Sequence, residues 1–249
     1  MGTDTDSLPT GDEKRARVRE MFDTIAPRYD LINRLMTFGL DKHWRHRTIK
    51  LLDLARPALV ADIGCGTGDL GRELIAQGYR AFGIDMSLGM LKAGQPGTAP
   101  VALADAAMLP LGDQTIDGAV SGFALRNFSE LVTVIVELAR VVRPGGRIAL
   151  LDVAQPENRL LKIGHSVWFN HVVPRIGSLL SDEEAYRYLP RSVAYLPRYT
   201  ELASTLGDAG FSAMRRDLLS GGLVQVITAT RTGSSRPTRH QIVLAEGSA

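Results

Sequence analysis

Val60-Ala61-Asp62-Ile63-Gly64-Cys65-Gly66-Thr67-Gly68 is an apolar run that empties into a loop with glycine at every second position. Short, apolar and followed by a glycine turn, residues 58–63 read as a buried strand. A glycine loop after a strand lets backbone N–H groups approach a ligand that side chains would block, which points to a nucleotide-type cofactor. The spacing narrows the choice. Dinucleotide sites favour G-x-G-x-x-G, whose last glycine serves close helix–strand packing near a pyrophosphate. Here Gly64, Gly66 and Gly68 stand as G-x-G-x-G.

Beyond this loop the chain alternates between strand and helix patterns. Further strand candidates are 80–85, 100–104, 116–121 and 146–152, each short, apolar and followed by turn or helix signals. Such alternation implies parallel strands joined by crossover helices, hence an α/β fold with a mostly parallel sheet and helices on both faces. The clearest helix is 129–142. Ser129 is its candidate N-cap, Leu131, Ile135, Leu138 and Val142 form its apolar stripe, and Pro144-Gly145-Gly146 ends it and turns the chain into the next strand.

With 249 residues, 45% hydrophobic and 22% charged, the chain can bury a full core as one domain. A net charge of +2 gives no argument for nucleic acid. The single cysteine, Cys65, excludes an intrachain disulfide and fits a reducing compartment; its place in the glycine loop calls for a small residue rather than thiol chemistry. No segment approaches the ~20 apolar residues of a membrane span, and no secretory pattern opens the chain. A soluble, cytoplasmic protein is expected. Residues 1–13 and 232–249 are polar and expected to be flexible, leaving one domain over 14–231.

In an open parallel sheet, ligands sit beyond the carboxyl ends of the strands. Asp85 closes the second strand, 21 positions after Gly64, where a carboxylate can accept hydrogen bonds from both hydroxyls of a ribose; Met86 follows it as a further contact. After the third strand, Asp105 and the backbone of Ala106 can read an adenine edge. Asp62 can orient the loop N–H groups, meet the ligand through water, or serve as a turn-former. Thr67 offers a hydroxyl within the loop. After the fourth strand, Ser121 and Gly122 leave room for a methionine moiety, with Arg126 and Asn127 facing whatever lies beside it.

The G-x-G-x-G loop resembles the first motif of class I methyltransferases that bind S-adenosylmethionine, with a Rossmann-like fold. The resemblance becomes specific in Phe123-Ala124-Leu125-Arg126-Asn127-Phe128, which is similar to the F-G-[LI]-R-N signature of the UbiE family, the C-methyltransferases of menaquinone and ubiquinone synthesis. It continues in Met21-Phe22-Asp23, in Ala26-Pro27-Arg28-Tyr29-Asp30-Leu31-Ile32-Asn33 and in Phe38-Gly39-Leu40-Asp41-Lys42-His43-Trp44-Arg45. Downstream it extends through Pro174-Arg175-Ile176-Gly177-Ser178 and Ala185-Tyr186-Arg187-Tyr188-Leu189-Pro190-Arg191-Ser192, so that it covers roughly residues 17–230. Carried over by position, the family's cofactor contacts fall on Thr67, Asp85, Asp105 and Ala106.

Several positions depart from the family pattern. Gly122 stands where the family has Ser, with Ser121 one position earlier, and Ala124 replaces a Gly. The strand-five ending, commonly E-F, is Asp152-Val153. The closing T-G-G-I-V-A-L-H is Ser220-Gly221-Gly222-Leu223-Val224-Gln225-Val226-Ile227, so the family His is absent. Gln225 and Ile227 therefore either shape a different acceptor end or reflect drift in buried strands.

The resemblance implies methyl transfer to a ring carbon of a reduced quinone, in the first place demethylmenaquinol. Ionising a quinol hydroxyl places negative charge on the adjacent ring carbon, which attacks the sulfonium methyl in line; a dry, oriented site favours that meeting of opposite charges. Arg126 is assigned to the developing oxyanion, since guanidinium stays protonated, and Asn127 to orienting the ring oxygen or a water. Tyr29 either hydrogen-bonds the acceptor or packs as a structural aromatic. His171, His165 and Asp152 are the candidate bases.

Residues 158–180 are rich in bulky apolar side chains. With the N-terminal helices they suit an α-helical lid, about 14–52 and 155–197, that takes a prenylated acceptor and touches the inner face of the membrane; core packing or a homodimer interface are the alternatives. Two other functions stay open. One is transfer to a soluble aromatic or polyketide acceptor, the other a S-adenosylmethionine-binding protein without catalysis.

Overall fold

The computed structural model describes residues 10–154 and 192–233. Three helices come first: α1 (Gly11–Ile25), α2 (Tyr29–Met36), reached through a 3₁₀ turn at Ala26–Arg28, and α3 (Leu40–Leu52). Helix α1 thus starts inside the segment expected to be flexible. The alternating core follows as β1 (Leu59–Ile63), α4 (Asp69–Ala76), β2 (Arg80–Asp85), α5 (Leu88–Lys92), β3 (Val101–Leu103), β4 (Ile116–Gly122), α6 (Leu131–Val141) and β5 (Val142–Val153). Helix α7 (Tyr199–Asp208) leads to β6 (Phe211–Leu219) and β7 (Val224–Arg231).

The strands form one sheet of seven in the order β3-β2-β1-β4-β5-β7-β6. Strands β3 to β5 pair in parallel, while β7 runs antiparallel to both β5 and β6. The five expected strands are all present, so the fold is the mostly parallel α/β sheet read from the sequence, extended by a pair that the reading did not include. Chain order reverses between β1 and β4, and the crevice outside their carboxyl ends is where such a sheet binds ligands. The glycine loop leaves β1 there, and Gly122-Phe123 leaves β4 beside it.

Two apolar layers hold the sheet. On one face α6 buries Val134, Ile135 and Leu138 against Ile63, Ala119 and Ile148; on the other α3 and α4 bring Ile49, Leu52 and Leu74 onto Val60, Val120 and Leu151. Each such fully buried aliphatic side chain contributes roughly 1.5–3 kcal/mol relative to exposure.

Two local expectations are corrected. The N-cap position of α6 is Glu130, not Ser129, and its carboxylate accepts from the Thr133 hydroxyl at 3.0 Å without capping the backbone. Pro144-Gly145-Gly146 does not precede the strand but lies inside β5: Val142 already pairs with Ile116, and the register shifts before Arg147 meets Gly118. The three residues form the extra length of a bulge, which tolerates a proline without a ladder hydrogen bond.

Candidate functional site

The glycine loop is held by carboxylates placed under and beside it. Gly64 and Gly66 have φ of +68° and +55°, the left-handed region that favours glycine, and a Cβ on Gly64 would stand 2.8 Å from Ala124 Cβ. Asp85 reaches across from β2: its Oδ2 accepts the Gly66 N–H at 2.8 Å and its Oδ1 the Ser87 N–H at 2.8 Å. Burial pushes this carboxyl above its ordinary range, and the backbone donors oppose that shift. Asp62 lies beneath the loop, where its Oδ2 accepts the Gly71 N–H at 3.1 Å and its Oδ1 has no partner. Burial raises Asp62 to about 7. Its bond ties the end of β1 to the first turn of α4.

A cleft opens between this loop, the ends of β2 to β4 and helix α1, with about 740 Å³ of open space, solvent at its mouth included. Among the sequence-predicted cofactor residues, Gly64, Gly66, Asp85, Met86, Asp105, Ala106 and Gly122 line it, as do Tyr29 and Asn127. A glycine cradle, a carboxylate at the end of β2 and a second carboxylate at the end of β3 fit the methyl donor's ribose and adenine. Asp105 keeps its Oδ1 on the Ala107 N–H at 2.8 Å, and its Oδ2 meets Arg15 Nε at 3.3 Å.

Asp62 does not line the cleft, and four further predicted residues sit elsewhere. Thr67 is buried outside the cleft lining, with its hydroxyl donating to Asp30 Oδ1 at 2.6 Å. Gly68 also lies outside the lining and begins α4 as its N-cap, with φ +83°. Ser121 donates to the Ile63 carbonyl at 2.7 Å, tying β4 to β1 rather than reaching a cofactor. Arg126 does not face the cleft. Its guanidinium is buried in an ion pair with Asp152, with Nε donating to Ser192 Oγ at 3.1 Å. Asp152 is correspondingly committed as a base candidate: one oxygen meets Arg126 and the Val153 N–H, while Oδ2 is buried without a partner. His165 and His171, like the 158–180 stretch, lie outside the described residues.

The positions that replace the family's closing motif are part of the sheet. Gln225 pairs in register with Asp152, donates to the Val153 carbonyl at 3.2 Å and accepts from Arg216 Nε at 2.7 Å, while Ile227 is fully buried in the core. Neither lines the cleft. Cys65 is likewise structural: its Sγ would lie 2.6 Å from a Cβ on Gly83, so the loop and β2 touch, and burial pushes its thiol up.

The sequence reading gave no roles to the side chains of α1 and α2 that strap the site from above. Lys14 Nζ donates to the Phe128 carbonyl at 2.8 Å and lies 3.7 Å from the Tyr195 ring centre. Arg15 joins Asp105 to Glu130. Asp23 Oδ1 accepts from Ser87 Oγ at 2.6 Å and from the Gly89 N–H at 2.7 Å. With Asp30 on Thr67, each loop after β1 to β4 is thus gripped by one residue of these two helices. Asp23 and Asp30 stand in blocks quoted for the resemblance, which was the available signal, but no local pattern says which loop a carboxylate will meet.

Tyr29 packs edge-on to Phe22, with ring centres 6.0 Å apart. Burial raises its hydroxyl; a side-chain hydrogen bond with Asn33 and the charges of Arg45 and Arg126 pull the other way.

Comparison with known proteins agrees with this geometry. The description "ubiE/COQ5 methyltransferase family" matches residues 10–231. The chain is 39% identical over 222 residues to the ubiquinone/menaquinone biosynthesis C-methyltransferase UbiE of Syntrophotalea carbinolica, covering 86% of this chain and 94% of that protein. It is 39% identical over 237 residues to the demethylmenaquinone methyltransferase of Roseiflexus castenholzii, covering 92% and 99%. In fold, it matches a SAM-dependent methyltransferase of Thermotoga maritima with a TM-score of 0.58 at 16% identity, over 86% and 100% of the two chains. A glycine loop braced by Asp85 at the sheet's switch point, and relatives similar along nearly their whole length, place this chain in the ubiE/COQ5 methyltransferase family.

Proposed function

We propose that the chain transfers a methyl group from S-adenosylmethionine to a ring carbon of a reduced quinone, with demethylmenaquinol as the acceptor. The observation that carries this reading is the cleft itself, in which Gly64, Gly66, Asp85 and Asp105 adjoin an acceptor end walled by Tyr29, Phe123 and Asn127. Relatives named for demethylmenaquinone methylation support the acceptor. S-adenosylmethionine supplies a methyl carried on a positive sulfur. In this reading Gly64 and Gly66 admit it by close backbone approach, the Asp85 carboxylate accepts from its ribose, and Asp105 with the Ala106 backbone takes its adenine.

Tyr29 serves the acceptor as a hydrogen-bond donor. A phenol whose ionisation burial opposes keeps its proton and presents an O–H to oxygen that gains negative charge. Arg126, held by Asp152, acts at a distance through its charge, which favours negative charge near Tyr29 without contact. Asn127 donates to the Phe123 carbonyl at 3.2 Å and so keeps the Phe123–Phe128 turn in shape at the acceptor end. Methyl transfer would be completed when the ring carbon that has received the methyl gives its proton to water and the ring regains aromaticity.

Incubation with methyl-labelled S-adenosylmethionine and a panel of reduced demethylmenaquinone, ubiquinone precursors and soluble phenols tests this. A labelled menaquinol is expected by mass spectrometry. Labelling of soluble phenols alone would overturn the quinol acceptor, and cofactor binding without transfer would overturn the enzyme.

A further inference from the structure

Helix α2 carries the site on one side and an apolar ridge on the other. Tyr29 lines the cleft and Ile32 is buried, whereas Leu31 and Leu35, four residues apart and so on one helical face, are 56% and 46% exposed. The ridge runs on past the turn that holds Phe38, itself 75% exposed, to Leu40 at the start of α3, 41% exposed. This turn is firmly built. Thr37 N–H and Gly39 N–H donate to the carbonyls of Asn33 and Arg34 at 2.9 Å each, Leu40 N–H to Thr37 at 3.0 Å, and the Thr37 hydroxyl to Asp41 Oδ1 at 3.0 Å. Within it Phe38 has φ +51°, a conformation that persists in a bulky residue only when its surroundings impose it. Leu31, Leu35 and Leu40 therefore stand exposed on a scaffold fixed by hydrogen bonds.

The charge around the ridge is one-sided. Residues 28–50 hold six Lys or Arg against two Asp. Both carboxylates are turned inward, Asp41 against Arg45 and Asp30 against Thr67, whereas Arg34 and Lys42 are exposed beside the leucines. A second copy docked on the ridge by a two-fold axis would set Arg34 and Lys42 of both copies against each other. An anionic lipid surface accepts the cations in its headgroups and the leucines at the acyl boundary.

We propose that Leu31, Leu35 and Leu40, flanked by Arg34 and Lys42, dock this protein on the surface of an anionic lipid bilayer. This extends the quinol reading, on which it rests for its purpose: α2 would then join the bilayer, where a prenylated acceptor resides, to the cleft lined by Tyr29.

Flotation of the full chain with vesicles of phosphatidylglycerol and phosphatidylethanolamine, against vesicles of phosphatidylcholine, tests the docking. Binding to the anionic vesicles is expected at least tenfold above the neutral ones, and a tenfold loss is expected in Leu31→Ser/Leu35→Ser and, separately, in Arg34→Glu/Lys42→Glu. The charge variant leaves the apolar packing intact, so it remains informative if the leucine variant fails to fold. Both variants should methylate a naphthoquinol without a prenyl tail at the wild-type rate and lose activity only on vesicle-borne acceptor. Equal flotation of wild type and variants, or no flotation of wild type, would overturn the proposal. So would sedimentation showing a wild-type dimer that the leucine variant splits, which would assign the ridge to a second copy. Flotation as expected with no methylation of either acceptor would uphold the docking and refute the quinol reading alone.

Discussion

Thr67 of the glycine loop donates its hydroxyl to Asp30 of α2 across 2.6 Å, although 37 residues separate them in the chain. This bond fastens α2 to the glycine loop that borders the cleft. A hydrogen bond to a charged group is worth roughly 1.5–3 kcal/mol, or about 10- to 100-fold in an equilibrium. Asp30→Ala should therefore speed dissociation of S-adenosylhomocysteine by about that factor in stopped-flow experiments, with Asp30→Asn in between. An unchanged rate would show that the clasp does not hold the site closed.

The buried pair of Arg126 and Asp152 sets a second expectation. Removing one partner of a buried pair strands the other charge and costs roughly 3–5 kcal/mol. Asp152→Ala should lower the melting temperature by roughly 10 °C in calorimetry, taking ~2–4 °C per kcal/mol for a domain of this size. Arg126→Met combined with Asp152→Ala should recover much of that loss, because no unpaired charge remains. A double variant as unstable as the single one would contradict this account.

Asp85 should govern cofactor affinity in a pH-dependent way. Asp85→Ala removes the acceptor of the Gly66 and Ser87 N–H groups as well as the proposed ribose contact, and calorimetric titration should show at least ~100-fold weaker binding of S-adenosylmethionine. Since burial raises this carboxyl, wild-type affinity should fall on acidification at a higher pH than an ordinary aspartate would give. A pH-independent affinity would exclude the carboxylate from the contact.

Asp62 should make stability fall as pH rises. Its folded pKa, about 7, exceeds the ordinary 3.8, so the folded chain holds a proton that the unfolded chain has released. The resulting stabilisation is full below the unfolded value and is lost as pH rises through the folded one, at no more than ~1.4 kcal/mol per pH unit. Denaturant unfolding at pH 5 and pH 8 should show this loss in wild type and a smaller one in Asp62→Asn. Equal pH dependence in the two would locate the effect elsewhere.

The first five strands were legible because each contains a short apolar run followed by a turn or helix signal, a pattern that holds even for β3, whose residues are exposed, and that needs no neighbours to be read. β6 was not, since every residue from Ser212 to Leu219 is partly buried or exposed, and it exists as a strand by pairing with β7. Ser129 looked like a helix cap because serine is a good one. The chain instead enters α6 one residue later, where Glu130 also meets Arg15.

By itself the sequence determined the parallel sheet, the glycine turn and the carboxylates at the ends of β2 and β3, because backbone conformation and strand-end position follow from a few consecutive residues. Only the tertiary structure decided which side chains line the cleft. Thr67, Ser121 and Arg126 all carry donors suited to binding, and each gives its donor to a partner between 26 and 66 residues away. A buried donor must be satisfied, and the nearest acceptor in space depends on how helices and strands pack.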